Sequence, residues 1–215
     1  MSTAPRSIRK TGILGGTFDP IHIGHLLLAV AAYEQAQLDR VLIMPTGISY
    51  FKAAREMKVT DPQTRLLMAG AAIKGVPFLE CSDIEARRAG NSYTFETMEE
   101  LRSLYPDDEL YYIVGADALC MMHLWKEPER IFRSCRILVT ERAGQVGTER
   151  LQEAISDLKE RYGAVIDRIT LRNIDISSTD IRERVMQNKP IRWMVPETVE
   201  EFIRENGLYR GEAQH

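Results

Sequence analysis

The sequence predicts an α/β fold: a mostly parallel, doubly wound sheet with helices on both faces and a C-terminal helical segment. Three observations carry this. Short runs rich in Val, Ile and Leu alternate with helix-length segments almost from end to end, and repeated β-α-β alternation builds parallel strands joined by crossover helices. The first apolar run enters a glycine turn that opens a helix, in the stretch TGILGGTFDPIHIGHLLL from Thr11 to Leu28. The 215 residues are 44% hydrophobic and 27% charged, an ordinary globular composition. They read as a single domain, with a core over about 8–175 and a C-terminal helical segment over about 176–210.

Each element has a local reason. Ile8–Leu14 is the first strand. Gly24–Gln37 follows as a helix apolar all round, and therefore a buried one. Arg40–Pro45 (RVLIMP) is the second strand. Asp61–Ile73 is a helix with Asp61 as N-cap and Pro62 in its first turn. Pro77–Cys81 is the third strand, Thr94–Leu104 a helix, Glu109–Val114 (ELYYIV) the fourth strand and Cys135–Thr140 (CRILVT) the fifth. Thr148–Tyr162 is an amphipathic helix before a last strand at Val165–Leu171. In the tail, Pro196 starts a helix with Val199, Phe202 and Ile203 as its apolar stripe; Asn206-Gly207 ends it and Leu208 takes the usual hydrophobic cap position. This helix is expected to be docked on the rest of the fold. Thr46–Thr60 is the longest loop and the one candidate for a lid.

Composition excludes several function classes. A net charge of −3 and a pI of about 5.9 leave no broad basic footprint for nucleic acid. The polar start MSTAPRSIRK lacks a signal-peptide core, and no apolar run reaches the roughly 20 residues of a membrane span, so a cytoplasmic protein is expected. Cys81, Cys120 and Cys135 fit no disulfide framework or zinc knuckle and read as buried free thiols. No zinc-type ligand spacing surrounds His22 and His25, and His123 and His215 look incidental, so no protein metal site is expected. No interface signature is legible, which leaves a homo-oligomer open.

The chemistry concentrates in the glycine turn. Gly12, Gly15 and Gly16 let the backbone turn sharply and leave N–H groups uncovered. A helix N-terminus adds further N–H groups and partial positive charge. His22 and His25, three apart, share one helix face. Phosphate suits such a site, although a glycine turn before a buried helix would show the same local pattern. In Ile176–Val185 (ISSTDIRERV), two serines and a threonine precede a helix with Asp180 in its first turn. This reads either as a well-capped helix or, with Arg182 one turn on, as a second anion site.

GGTFDPIHIGH resembles the nucleotidylyltransferase motif with its HxGH signature, and later segments are similar to those of the bacterial nicotinate-nucleotide adenylyltransferase family. The resemblance runs from Thr11 to about Tyr209, including the VPETVEEFIRENGLY tail. It implies a Rossmann-like fold and adenylyl transfer from ATP to nicotinate mononucleotide, giving deamido-NAD and pyrophosphate, with Mg²⁺ carried on the triphosphate. Backbone at Gly15, Gly16 and Phe18, the Thr17 hydroxyl and both histidines would bind the ATP phosphates. Ile176, Ser178, Thr179 and Arg182 match the family's ISSTxIR segment for the same nucleotide. Catalysis would fall to His22, His25, Lys52 and Arg182.

Other segments bear on the acceptor. Asn91–Thr97 (NSYTFET) resembles the family's SYTxDT, whose helix entrance grips the pyridine carboxylate; Tyr93 and Thr94 are carried over. Asn91 stands where proline is commoner and Glu96 replaces aspartate. In Tyr111–Trp125 (YYIVGADALCMMHLW), Gly115 and Asp117 would sit beside the nucleotide and Trp125 would stack on the pyridine. From composition alone Trp125 could equally be core. After Met44-Pro45-Thr46 the family often runs Pro-Pro-His-Lys, whereas this chain has Ser49-Tyr50-Phe51-Lys52. Thr46 and Lys52 carry over to the mononucleotide, Lys52 being also readable as a solvated surface lysine. Phe51 cannot supply a histidine's hydrogen bonds. A sister enzyme such as a phosphopantetheine adenylyltransferase or cytidylyltransferase, or a nucleotide-binding sensor without turnover, are the rival readings.

Overall fold

A computed structural model describes residues 8–49, 59–142, 148–171 and 174–210. Its main sheet has six parallel strands in the order β4-β2-β1-β6-β7-β8. These are β1 (Lys10–Gly16), β2 (Arg40–Pro45), β4 (Leu79–Cys81), β6 (Glu109–Gly115), β7 (Arg136–Arg142) and β8 (Ile166–Leu171). The order reverses at β1, and ligands of open α/β sheets gather outside the carboxyl ends of strands at such a reversal. The Rossmann-like expectation holds. The helices are α1 (Ile23–Gln35), α2 (Pro62–Ile73), α3 (Thr94–Leu104), α4 (Ala116–Met121), α5 (Pro128–Ser134), α6 (Thr148–Tyr162), α7 (Ser178–Met186) and α8 (Glu197–Glu205).

The chain packs as two compact units. The first draws on Met1–Leu14, Ala31–Leu42 and Tyr93–Arg172. Here β1 pairs with β6 in the register Ile13↔Tyr112, β6 with β7 as Ile113↔Leu138, and β7 with β8 as Leu138↔Asp167. Ile13, Leu110, Ile137, Leu138 and Val139 are fully buried, as strands covered on both faces require. Gly12 has a packing reason, since a Cβ there would stand 2.6 Å from Leu38 Cδ1. Beside Gly12 in β1, Thr11 accepts from the buried Arg40 at 2.9 Å; Arg40 also meets Asp108 at 3.0 Å, with Tyr105 beneath its guanidinium.

The second unit draws on Gly15–Val30, Ile43–Ser92 and Asn173–His215. A two-residue ladder, β3 (Ile48–Ser49) with β5 (Asn91–Ser92), lies in it. α2 is capped as expected, the Asp61 carboxylate accepting from the Thr64 N–H at 2.9 Å. α8 packs on α2, and Thr198 Oγ1 donates to Ala71 O at 2.9 Å. Its end is a Schellman motif: Leu208 N–H donates to Ile203 O and Gly207 N–H to Arg204 O, with Gly207 at φ +61°.

Two expectations are corrected. α1 is not covered all round: Leu27 is 39% exposed while Leu28, Ala29 and Ala32 are buried, because only one face meets the core. Cys120 and Cys135 are buried free thiols, but Cys81 is exposed at the end of β4. Burial pushes the Cys135 thiol up to about 12. Among the described residues no helix is long and apolar enough to cross a membrane, and no group of three His, Cys, Asp or Glu side chains could hold a metal ion.

Candidate active site

The glycine turn is built by mutual packing in the second unit. Phe18 leaves the turn at φ +50°, a left-handed backbone that costs an aromatic residue energy. Its buried ring folds over Gly16, where a Cβ would stand 2.6 Å from the ring. The same ring meets His25 edge-on with centroids 4.9 Å apart. His22 stands just before α1 and is 4% exposed; its ring stacks on His25 at 3.6 Å. The His22 N–H donates to His25 Nδ1 at 3.2 Å. In the neutral ring that leaves the proton on Nε2, which is then the donor. Gly24 makes room for this pair, since a Cβ there would come within 3.0 Å of His22 Cε1.

The ISSTDIR segment lands on the same turn. Ser177 caps α7 by accepting from the Asp180 N–H at 3.1 Å. Ser178 Oγ donates to Pro20 O at 2.9 Å, and Arg182 Nη1 to Asp19 O at 2.7 Å. Arg182 Nη2 also reaches Thr179 Oγ1 at 3.3 Å. Two segments more than 150 residues apart in the chain, as the separations of 158 and 163 for these bonds show, thus meet at the Asp19-Pro20 peptide. Ile176 is half-buried and Thr179 exposed. A cleft of about 450 Å³ opens beside Asp19, Thr60, Thr179, Arg182 and Tyr209.

Three residues that sequence reasoning passed over hold this site. Arg65 of α2 is 1% exposed, and its guanidinium donates to the carbonyls of Thr17 (2.7 Å), Thr46 (2.6 Å), Thr60 (2.8 Å) and Gly47 (3.3 Å). Burial lowers its pKa from the ordinary value, and the carboxylates of Asp19 and Asp61 oppose that shift. Buried Asp19 accepts from the Thr60 N–H and from the Tyr209 hydroxyl, the latter at 2.7 Å. Burial and the Asp19 carboxylate raise the Tyr209 pKa well above its usual value, so the phenol stays a donor. The one signal for Arg65 was its place at the head of the otherwise apolar run RLLMAGAAI.

The remaining candidates are placed as follows. Thr46 follows β2 and its N–H donates to Gly16 O at 2.8 Å. Lys52 lies outside the described residues, as does most of the proposed lid Thr46–Thr60. In the first unit, Tyr93 is the N-cap residue of α3 and no side chain caps that helix; Thr94 opens it. Lys126 Nζ lies 4.2 Å over the Tyr93 ring. Trp125 is half-buried and meets Tyr112 edge-on at 6.2 Å. Gly115 ends β6 and precedes α4, whose first turn carries Asp117. Both are exposed.

Comparison with known proteins bears on this geometry. A family model described as cytidylyltransferase-like matches residues 13–184. A protein of Thermoanaerobacter sp. (strain X514) named "Probable nicotinate-nucleotide adenylyltransferase" is 40% identical over 96% of this chain and 97% of its own. A protein of the same name from Roseiflexus sp. (strain RS-1) is 42% identical over 98% of this chain and 100% of its own. The fold is similar to that of Plasmodium falciparum nicotinic acid mononucleotide adenylyltransferase complexed with NaAD, with a TM-score of 0.75, 17% identity, and coverage of 94% of this chain and 97% of that one. The same protein complexed with APC gives a TM-score of 0.73.

Proposed function

Because this chain belongs to the cytidylyltransferase-like family and, within it, to the nicotinate-nucleotide adenylyltransferases, we propose that it transfers the adenylyl group of MgATP to nicotinate mononucleotide in the cytosol, making deamido-NAD and pyrophosphate for NAD biosynthesis. The observation that carries this reading is the meeting of the HxGH turn with the ISSTDIR helix, through Ser178 on Pro20 O and Arg182 on Asp19 O. In this reading the junction brings N–H groups, hydroxyls, imidazoles and a guanidinium toward the phosphates, the donor set a triphosphate needs.

The reaction is an in-line displacement. An oxygen of the acceptor's 5′-phosphate attacks the α-phosphorus of ATP, the bond from that phosphorus to the bridging oxygen breaks, and Mg-pyrophosphate leaves. The attacking phosphate is already anionic near neutral pH, so no strong general base is required. The protein's work is to bring two anions together and to stabilise charge on the leaving group. In this reading Gly15, Gly16, Thr17 and Phe18 cradle the phosphates with backbone and hydroxyl donors. His22, His25 and Arg182 act on the bridging and leaving oxygens, with Lys52 as a flexible point charge. Ile176, Ser178, Thr179, Gly115 and Asp117 hold the rest of the nucleotide.

The acceptor is read elsewhere in the chain. The uncapped N–H groups at the start of α3, beside Tyr93 and Thr94, favour a carboxylate over an amide. Trp125 offers a flat apolar face to the pyridine, and Thr46 contacts the mononucleotide. Mg²⁺ enters with the triphosphate. Labelled ATP tests the reaction type: α-phosphate label must appear in the dinucleotide and γ-phosphate label in pyrophosphate. Label from the γ position in the acceptor would make the protein a kinase instead.

A further inference from the structure

Arg65 ties together three pieces of chain that have no covalent reason to be in register. Its planar fork reaches Thr17 O beyond the glycine turn, Thr46 O and Gly47 O past β2, and Thr60 O one residue before the cap of α2. Every acceptor described for it is a main-chain carbonyl, so the bonds set peptide planes rather than side-chain rotamers. In a trans peptide the C=O and the following N–H point in opposite directions. Holding Thr46 O therefore aims the Gly47 N–H away from Arg65, and that N–H donates to Glu85 Oε2 at 3.4 Å. The same logic applies to the Thr17–Phe18 peptide. Its carbonyl is fixed on Nη1 at 2.7 Å, so the Phe18 N–H is aimed outward from the guanidinium. The Thr46 N–H bond to Gly16 O closes the arrangement on its other side.

We propose that Arg65 is a positioning residue for adenylyl transfer: by gripping the carbonyls of Thr17 and Thr46 together, it aims the Phe18 N–H of the phosphate turn and fixes that turn against the end of β2. A lysine would keep the charge and three donors but lose the planar fork that reaches four carbonyls at once. Phe18 sits in a strained left-handed backbone, so its peptide relaxes once the carbonyl is released. A donor aimed in advance at charge that develops in the transition state acts on kcat more than on ground-state binding.

The inference rests on the adenylyl-transfer reading, and two measurements separate them. The first compares wild type, Arg65→Lys and Arg65→Gln below their melting transitions. We expect kcat to fall about tenfold in Arg65→Lys and about a hundredfold in Arg65→Gln, while KM for ATP and for the mononucleotide stays within about threefold. The second is amide hydrogen exchange at Phe18 in Arg65→Lys, the variant that retains charge and donors and so keeps the fold. There we expect exchange at least about tenfold faster at Phe18, with Ile13 and Ile43 unchanged. Turnover within about twofold of wild type in both folded variants, or unchanged Phe18 exchange, overturns the assignment. Wild type that makes no dinucleotide overturns the reaction instead, and the Phe18 exchange rate still reports whether Arg65 holds the turn.

Discussion

A methyl group on Gly24 would stand 3.0 Å from Cε1 and 3.1 Å from Nδ1 of His22. The glycine of HIGH is thus the space that lets His22 lie flat on His25. Alanine is the better helix former, so Gly24→Ala should melt no lower than wild type while His22 is pushed aside by a few tenths of an ångström. Because a misplacement of about 1 Å can cost roughly a hundredfold, we expect turnover to fall about tenfold with the melting temperature held. Wild-type kcat in this variant would show that the stacked pair tolerates displacement.

Removing either imidazole should be more severe. If the imidazoles donate to phosphate oxygens as proposed, His22→Ala or His25→Ala deletes one such donor, a loss of about 3 kcal/mol or roughly a hundredfold in kcat. Steady-state pyrophosphate release measures it. Near-wild-type turnover in both variants would remove the pair from catalysis.

Trp125 offers a test of the acceptor side of the proposed function. If Trp125 stacks on the pyridine as proposed, Trp125→Ala should raise KM for the mononucleotide several-fold more than KM for ATP. Equal changes in the two constants would make Trp125 part of the packing around Tyr112.

Stability has its own node. Asp108 receives Arg40 at 3.0 Å and the Thr11 hydroxyl at 2.6 Å, with both ion-pair side chains about nine-tenths buried. Asp108→Ala strands a buried guanidinium and should cost about 3–5 kcal/mol in denaturant unfolding. A loss below about 1 kcal/mol would place the pair with ordinary surface ion pairs.

The Asp61 cap gives a pH signature. Hydrogen bonds from the Thr64 hydroxyl and then its N–H hold the Asp61 carboxyl below its ordinary value of 3.8. A carboxyl depressed in the folded state stabilises fully above its unfolded pKa and loses that contribution as pH falls through the folded one. Asp61→Ala should therefore cost about 1 kcal/mol near neutral pH, and the gap to wild type should narrow below about pH 4. A gap constant down to about pH 2 would mean the charge plays no part.

Legibility followed the range of the forces. Helical patterning and caps act within a few residues, so Thr94–Leu104 and Thr148–Tyr162 have the bounds the sequence predicts, and Asp61 and Ser177 cap their helices. The two-residue β3–β5 ladder pairs Ile48 with Asn91, a long-range choice no local pattern announces. α4 and α5, of 6 and 7 residues, are too short to show a helical period. At the candidate site, the HxGH and ISSTDIR segments were visible as motifs. Arg65 was not, because a charged residue in a helix usually faces water and only the converging carbonyls of Thr17, Thr46, Gly47 and Thr60 reveal why this one does not.

The most direct test of the central claim is pyrophosphate release from MgATP with one acceptor at a time: nicotinate mononucleotide, nicotinamide mononucleotide or phosphopantetheine. Adenylyl transfer with a carboxylate pocket at the start of α3 predicts strong release with the first and much weaker release with the second. Release with phosphopantetheine alone, or none with nicotinate mononucleotide in protein that still binds ATP, would contradict it.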